Sequence, residues 1–266
     1  MISFNSLGNL GRLGNQMFQY ASLRGIAANR GFDFCIPPKN VFGVSDLNVK
    51  NCPTNIYTAF DISKYPQGIP DNTIVKESGF HFDEDLFNTC DDNTDLYGYF
   101  QSEKYFKHIE DEIRKDFTFG DNIVKSCEDI ITNEIGTTEL ISLHIRRSDY
   151  LHLQTFHPVP PIEYYIESLK KLPNVPVLIF TDDIDWCMKQ SVFDPNRFFI
   201  SQSNSAEHDM CFMTMCKYHI IANSSFSWWG AWLAKSEKVI APKTWFGSSL
   251  MDHDTSDLYC NGWETL

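Results

Sequence analysis

Between residues 140 and 241, short apolar runs alternate with helix-like stretches, and polar residues follow each run at once. Leu140–Ile145 reads as a buried strand, Pro161–Leu172 as a helix, Val175–Phe180 as a strand and Ile184–Gln190 as a helix. Arg197–Ile200, His219–Ala222 and Lys238–Ala241 read as further strands, with helices at Glu207–Lys217 and Ser227–Lys235 between them. Parallel neighbours need a crossover, usually a helix, so this rhythm predicts a doubly wound α/β layer. Ligands of such sheets lie beyond the carboxyl ends of the strands, so the polar residues after each run are the ones to read for chemistry.

The first half has a weaker rhythm. A glycine-rich segment, Gly8–Gly14, leads into a helix over Asn15–Arg30 that Gly31 should close. Residues 37–73 carry Pro37, Pro38, Pro53, Pro66 and Pro70 among many Asn and Asp, which predicts loops, and Lys104–Phe117 is again helix-like. A chain of 266 residues suits one large domain or two modest ones. Lys and Arg number 22 against 35 Asp and Glu, a net charge of −13, and neither half is basic. That balance argues against a nucleic-acid binder working through diffuse positive charge. The longest uncharged stretch, Tyr218–Ala234, has 17 residues but holds His219, Asn223 and three serines, so it reads as core and no transmembrane segment is expected. No secretory pattern precedes Arg12, and the eight cysteines form no C-x-x-C pair; reduced thiols in a cytoplasmic protein are the expectation.

Four clusters carry chemistry. His144-Ile-Arg146-Arg147-Ser-Asp149-Tyr150 ends a strand with two adjacent guanidiniums, whose planar forks suit phosphate oxygens; a structural salt bridge to Asp149 is the plainer alternative. Asn223-Ser224-Ser225-Phe226-Ser227 lies between a strand and a helix, where hydroxyls and free N–H groups hold anions or simply cap the helix. Trp228, Trp229 and Trp232 should pack that helix. Thr181-Asp182-Asp183-Ile-Asp185 follows a strand and offers capping carboxylates, contacts to a nucleoside, or a D-x-D pair for a divalent ion. Gly11-Arg12-Leu-Gly14-Asn15-Gln16 combines glycines that permit close backbone approach with three polar side chains. Leu151–Pro161, with His152 and His157, is either a surface loop or a lip over the site.

Gly11–Ala21, His144–Asp149, Phe180–Asp183 and Asn223–Gly230 occur in the same order as the motifs of the bacterial α-1,2-fucosyltransferases of glycosyltransferase family 11, which the chain resembles. Arg12 stands where many relatives carry a second glycine. The resemblance implies a GT-B-like α/β enzyme of two facing domains, with residues 1–136 on the acceptor side. Residues 137–266 would form a C-terminal, Rossmann-like doubly wound parallel sheet binding the GDP-sugar. It implies GDP-fucose as co-substrate, a galactose-terminated oligosaccharide as acceptor, inversion at the anomeric carbon, and neither a cofactor nor an obligatory metal. Arg146 matches the phosphate-binding arginine, and Asp149 is the candidate base. Arg147 is expected to hold the loop through Asp149. The implied substrate-binding set is Arg12, Asn15, Gln16, His144, Arg147, Thr181, Asp182, Asp183, Asn223, Ser224, Ser225, Phe226 and Ser227. Within it, Asp182 or Asp183 and His144 lie near the nucleoside, and Asn15 reaches the donor from the N-terminal domain.

Overall fold

The computed structural model describes residues 1–39, 55–203 and 205–266, and its chain folds as two units. Unit 1 is Met1–Phe119 with His253–Cys260; unit 2 is Gly120–Asp252 with Asn261–Leu266. Unit 1 runs β1 (Ile2–Ser3), α1 (Leu13–Arg30), β2 (Phe34–Cys35), α2 (Ile56–Ala59), β3 (Thr73–Lys76), α3 (Glu84–Thr89), β4 (Thr94–Tyr97) and α4 (Glu110–Asp116). Its strands form a parallel sheet in the order β2–β1–β4–β3. Strands of two to four residues are too short to leave a periodic trace, and the sequence pattern predicted none of them. α1 begins two residues before the expected start and ends where expected. Gly31 takes φ +69°, which turns its N–H back onto the last carbonyls of the helix.

The helix expected over Lys104–Phe117 is broken. Two 3₁₀ turns, Glu103–Tyr105 and Lys107–Ile109, precede α4. The chain leaves helical geometry at Phe106, φ −133°, between the two turns, and buries Tyr105 and Phe106 completely. The loops expected at residues 40–54 lie outside the described residues.

Unit 2 runs α5 (Asp121–Ile130), β5 (Ile141–Ile145), α6 (Ile162–Lys170), β6 (Val177–Thr181), α7 (Ile184–Met188), β7 (Phe198–Ile200), α8 (Ala206–Thr214), β8 (Tyr218–Ile220), α9 (Ser225–Leu233), β9 (Lys238–Ala241) and β10 (Glu264–Thr265). The strands lie in the order β10–β9–β8–β5–β6–β7, every pairing parallel. On one face Ile141, Leu143, Ile145, Val177 and Ile179 pack against Tyr164, Tyr165 and Leu169 of α6 and Cys187 of α7. The Tyr164 hydroxyl donates to the carbonyls of Ile221 and Ile240, at 2.7 and 3.0 Å, and ties α6 to the ends of β8 and β9. Side chains alternate along a strand, so Ser142 and His144 point to the opposite face. There α9 buries Trp228, Trp229 and Trp232 against one another, as expected of packing residues.

The division at Phe119/Gly120 precedes the boundary expected at 136. α5 packs on α8 and buries Cys127 completely, so residues 120–136 belong with the second sheet. The seven described cysteines are all buried free thiols. Among the described residues no helix is long and apolar enough to cross a membrane.

Candidate active site

β5 comes first of the strands in its sheet, with β6 on one side and β8 on the other, so the direction in which successive strands are added reverses between β5 and β8. Ligands of open parallel sheets bind in the crevice at such a switch point, beyond the strand ends. His144, at the end of β5, and Ser227, in the first turn of α9 just past β8, meet across this gap. His144 Nδ1 lies 2.8 Å from Ser227 Oγ. Burial, and then the charge of Arg146, pushes the imidazole down to about 3, so His144 stays neutral at physiological pH.

Arg146 follows directly. Its Nη2 lies 2.6 Å from Asp149 Oδ1 and its Nη1 2.6 Å from Asp182 Oδ2, with its guanidinium carbon 5.5 Å from the centre of the Tyr150 ring. The two carboxylates are held differently. Asp182 Oδ1 accepts the backbone N–H groups of Arg147 and Ser148 at 2.8 and 3.3 Å, locking the loops after β5 and β6 together. Asp149 is 40% exposed and sits in a short 3₁₀ turn, Asp149–His152. Arg147 departs from expectation: it pairs with Asp183, Nε to Oδ2 at 3.0 Å, and lies 4.2 Å over the Trp186 ring. The expected Arg147–Asp149 contact belongs to Arg146 instead, because the i,i+3 spacing within one turn brings those two side chains together.

Asp183 also caps α7 through the Trp186 N–H, and the Arg147 hydrogen bond holds its carboxyl below the usual range. Thr181 Oγ1 accepts the Asp183 N–H at 3.0 Å. Thr181, Asp182 and Asp183 are thus all tied into the loop after β6. The Asn223 Nδ2 donates to the carbonyls of Pro158 and Trp245, both at 3.0 Å. Ser224 caps α9, accepting from the Phe226 N–H, and Phe226 lies against the His144 ring at 5.9 Å. Tyr150 donates to the Asn223 carbonyl at 3.1 Å and stacks on His157 at 4.9 Å, anchoring both ends of the expected lip. No periodic or motif signal singled out Tyr150, His157 or Trp186 as partners, since each contact is made across loops.

In unit 1 the glycine segment is tied down by amides. Gln16, 1% exposed, donates to the Gly11 carbonyl at 3.2 Å and accepts the Ile56 N–H at 3.0 Å, so both ends of its amide are engaged within unit 1. Gln19 donates to the carbonyls of Leu10 and Gly98. Asn15 Oδ1 accepts from Gln101 Nε2 at 2.7 Å. Arg12 is exposed at the N-cap of α1, and Gly11 takes φ +76°.

The profile described as Glycosyl transferase family 11 matches residues 2–266, essentially the whole chain. The chain belongs to this family. It is 31% identical to an Escherichia coli alpha-1,2-colitosyltransferase over 272 residues, covering 89% of this chain and 90% of the relative. It is 24% identical to human galactoside alpha-(1,2)-fucosyltransferase 1, covering 86% of this chain and 65% of that protein. Among solved structures, the NodZ α-1,6-fucosyltransferase soaked with GDP-fucose aligns with a TM-score of 0.57 at 17% identity, over 91% of this chain and 94% of that one. POFUT1 in complex with GDP aligns at 0.50 and 11% identity, over 88% and 95%. This family 11 glycosyltransferase therefore has the GT-B-like α/β fold expected of it.

Among the described residues no cluster of three or more His, Cys, Asp or Glu is placed to hold a metal ion. Of the D-x-D pair, Asp183 has both carboxylate oxygens engaged, by Arg147 and by the α7 cap.

Proposed function

We propose that this glycosyltransferase is an inverting fucosyltransferase, moving L-fucose from GDP-fucose to the 2-hydroxyl of a terminal galactose on a glycan acceptor. The observation that carries this is the gathering of Arg146, His144 and the Ser224–Ser227 turn at the unit 2 switch point. The α-1,2 linkage named for both the colitosyl and the human relative supports the acceptor position.

Breaking the fucosyl C1–O bond leaves the electron pair on the diphosphate and builds positive charge on the sugar ring. Arg146 stabilises that leaving group by exchanging Asp149 for phosphate oxygens, while Asp182, pinned by two backbone N–H groups, stays. Ser224, Ser225 and the N-terminus of the nine-residue α9 take the remaining oxygens. His144, neutral, orients Ser227. The Asp149 carboxylate, released from its cation, accepts the proton of the acceptor hydroxyl as the new C1–O2 bond forms on the opposite face of the sugar. Asn15 and Arg12 are further contacts to the sugar nucleotide. No divalent ion is required for any of these steps.

Incubation with GDP-fucose and a panel of β-galactosides in excess chelator should release GDP and yield an α-1,2-fucosyl linkage by NMR. Failure of transfer to every galactoside overturns the assignment, and dependence on added Mg²⁺ or Mn²⁺ overturns its metal-free mechanism. A second donor, GDP-linked colitose, is favoured by the near full-length colitosyl relative. A higher kcat/KM for it than for GDP-fucose would transfer the assignment to that sugar.

A further inference from the structure

Unit 1 has a switch point of its own. β1 pairs with β2 on one side and β4 on the other, so the loops after β1 and β4 flank the crevice. The loop after β4 presents Gln101 in an expensive way. Phe100 is fully buried yet takes φ +52°, a left-handed conformation that crowds the Cβ of any residue but glycine. Glu77 imposes it: its Oε2 accepts the Tyr99 N–H at 2.7 Å and its Oε1 the Phe100 N–H at 2.8 Å. The Phe100 carbonyl is held from the other side by Ser22 Oγ and the Ser102 N–H, at 3.2 and 2.9 Å. Backbone strain retained under this much bracing points to what the turn delivers. It delivers the Gln101 amide, 8% exposed, whose Nε2 donates to Asn15 Oδ1 at 2.7 Å. The Asn15 Nδ2 then lies over Gly11, where a Cβ would approach it to 2.2 Å.

We propose that Gln101 is a positioning residue for the sugar nucleotide: by engaging the Asn15 oxygen it fixes that amide with its N–H side, and not its oxygen, turned to the start of α1. An amide in the reverse orientation would present a carbonyl oxygen to a diphosphate and repel it. Glu77 acts one step further back, by holding the turn. This role rests on the assignment of Asn15 as a donor contact.

The test is a double-mutant cycle on the full chain, with kcat and KM measured separately for GDP-fucose and acceptor, and GDP binding followed by calorimetry. Gln101→Met should lower kcat/KM for GDP-fucose about tenfold, chiefly through the KM for the nucleotide, with the acceptor KM unchanged and the thermal midpoint lower by only about 2–4 °C, the cost of one buried hydrogen bond. In an Asn15→Ala background the same substitution should cost nothing more. If Gln101→Met does not fold, Gln101→Glu keeps the shape, cannot donate to Asn15 Oδ1, and should show the same nucleotide-specific loss. Unchanged kinetics in the single variant, or an undiminished loss in the Asn15→Ala background, overturns the role of Gln101. Absence of GDP binding by the unaltered protein overturns the donor assignment itself, and this inference with it.

Discussion

The loops at the carboxyl ends of the two parallel sheets are held by different chemistry. In unit 2 the bracing is ionic: Arg146 and Arg147 meet Asp149, Asp182 and Asp183 within about two loops of chain. In unit 1 most of it is neutral, a set of carboxamides on Asn15, Gln16, Gln19 and Gln101, backed by the carboxylates of Glu77 and of Asp95, which accepts the Asn5 N–H at 2.7 Å. An ion pair that is partly exposed contributes little net stability, so its cation can trade one anion for another at small cost. A buried amide has no such freedom; it keeps its geometry or loses a hydrogen bond. On the proposed function, unit 2 would accept a charged ligand by exchange, whereas unit 1 keeps its amides in one orientation.

Removing the exchangeable cation should break the contrast most severely. Arg146→Ala is expected to lower turnover about 10²–10³-fold while leaving far-UV circular dichroism unchanged; turnover near that of the parent would refute its place at the diphosphate. Asp149→Asn removes the released carboxylate and should reduce kcat about 10²-fold, abolishing the acidic limb of the pH–rate profile. A variant with the parental profile would instead give the proton to the leaving phosphate.

Smaller effects sharpen the comparison through pH. His144 and His219 are both buried, with imidazoles pushed down to about 3 and about 4, mainly by desolvation. The unfolded chain binds protons near pH 6.5 and the folded one does not, so their contribution is complete above that value and is lost as pH falls through the folded range. Thermal midpoints should accordingly drop below pH 6.5, and less so in His219→Phe. Glu77 has the opposite sign. Burial raises it to about 7, against the Tyr99 and Phe100 N–H groups that lower it, with Asp83 and Tyr105 facing it. Its contribution is complete below about pH 4.5 and is lost as pH rises through 7. Between pH 5 and 8 the thermal midpoint of Glu77→Gln should decline less than that of the parent; parallel curves would mean that the carboxyl is not perturbed.

The strand–helix rhythm of residues 140–241 was legible because strands covered on both faces must be apolar along their whole length. Every strand expected there forms, and Lys238–Ala241 does so to the residue. Unit 1 was not legible in this way. Its strands are too short for a period, and its order comes from side chains such as Gln19 and Ser22 bonding to backbone far along the chain. α5 was not among the expected helices, although Ile123, Val124, Cys127 and Ile130 recur at helical spacing along its packed face.

At the candidate site the motifs put polar residues on the loops after β5, β6 and β8 but did not give their pairings. Composition and local spacing alone determined an acidic α/β protein with its polar residues after the strands, and with arginines at the end of β5. Which arginine meets which aspartate, that Gln16 bonds to Gly11 and Ile56, and that Gln101 reaches Asn15 from 86 residues away were decided only by tertiary structure. Contacts between loops depend on where the strands deliver them, and no local pattern in a sequence records that distance.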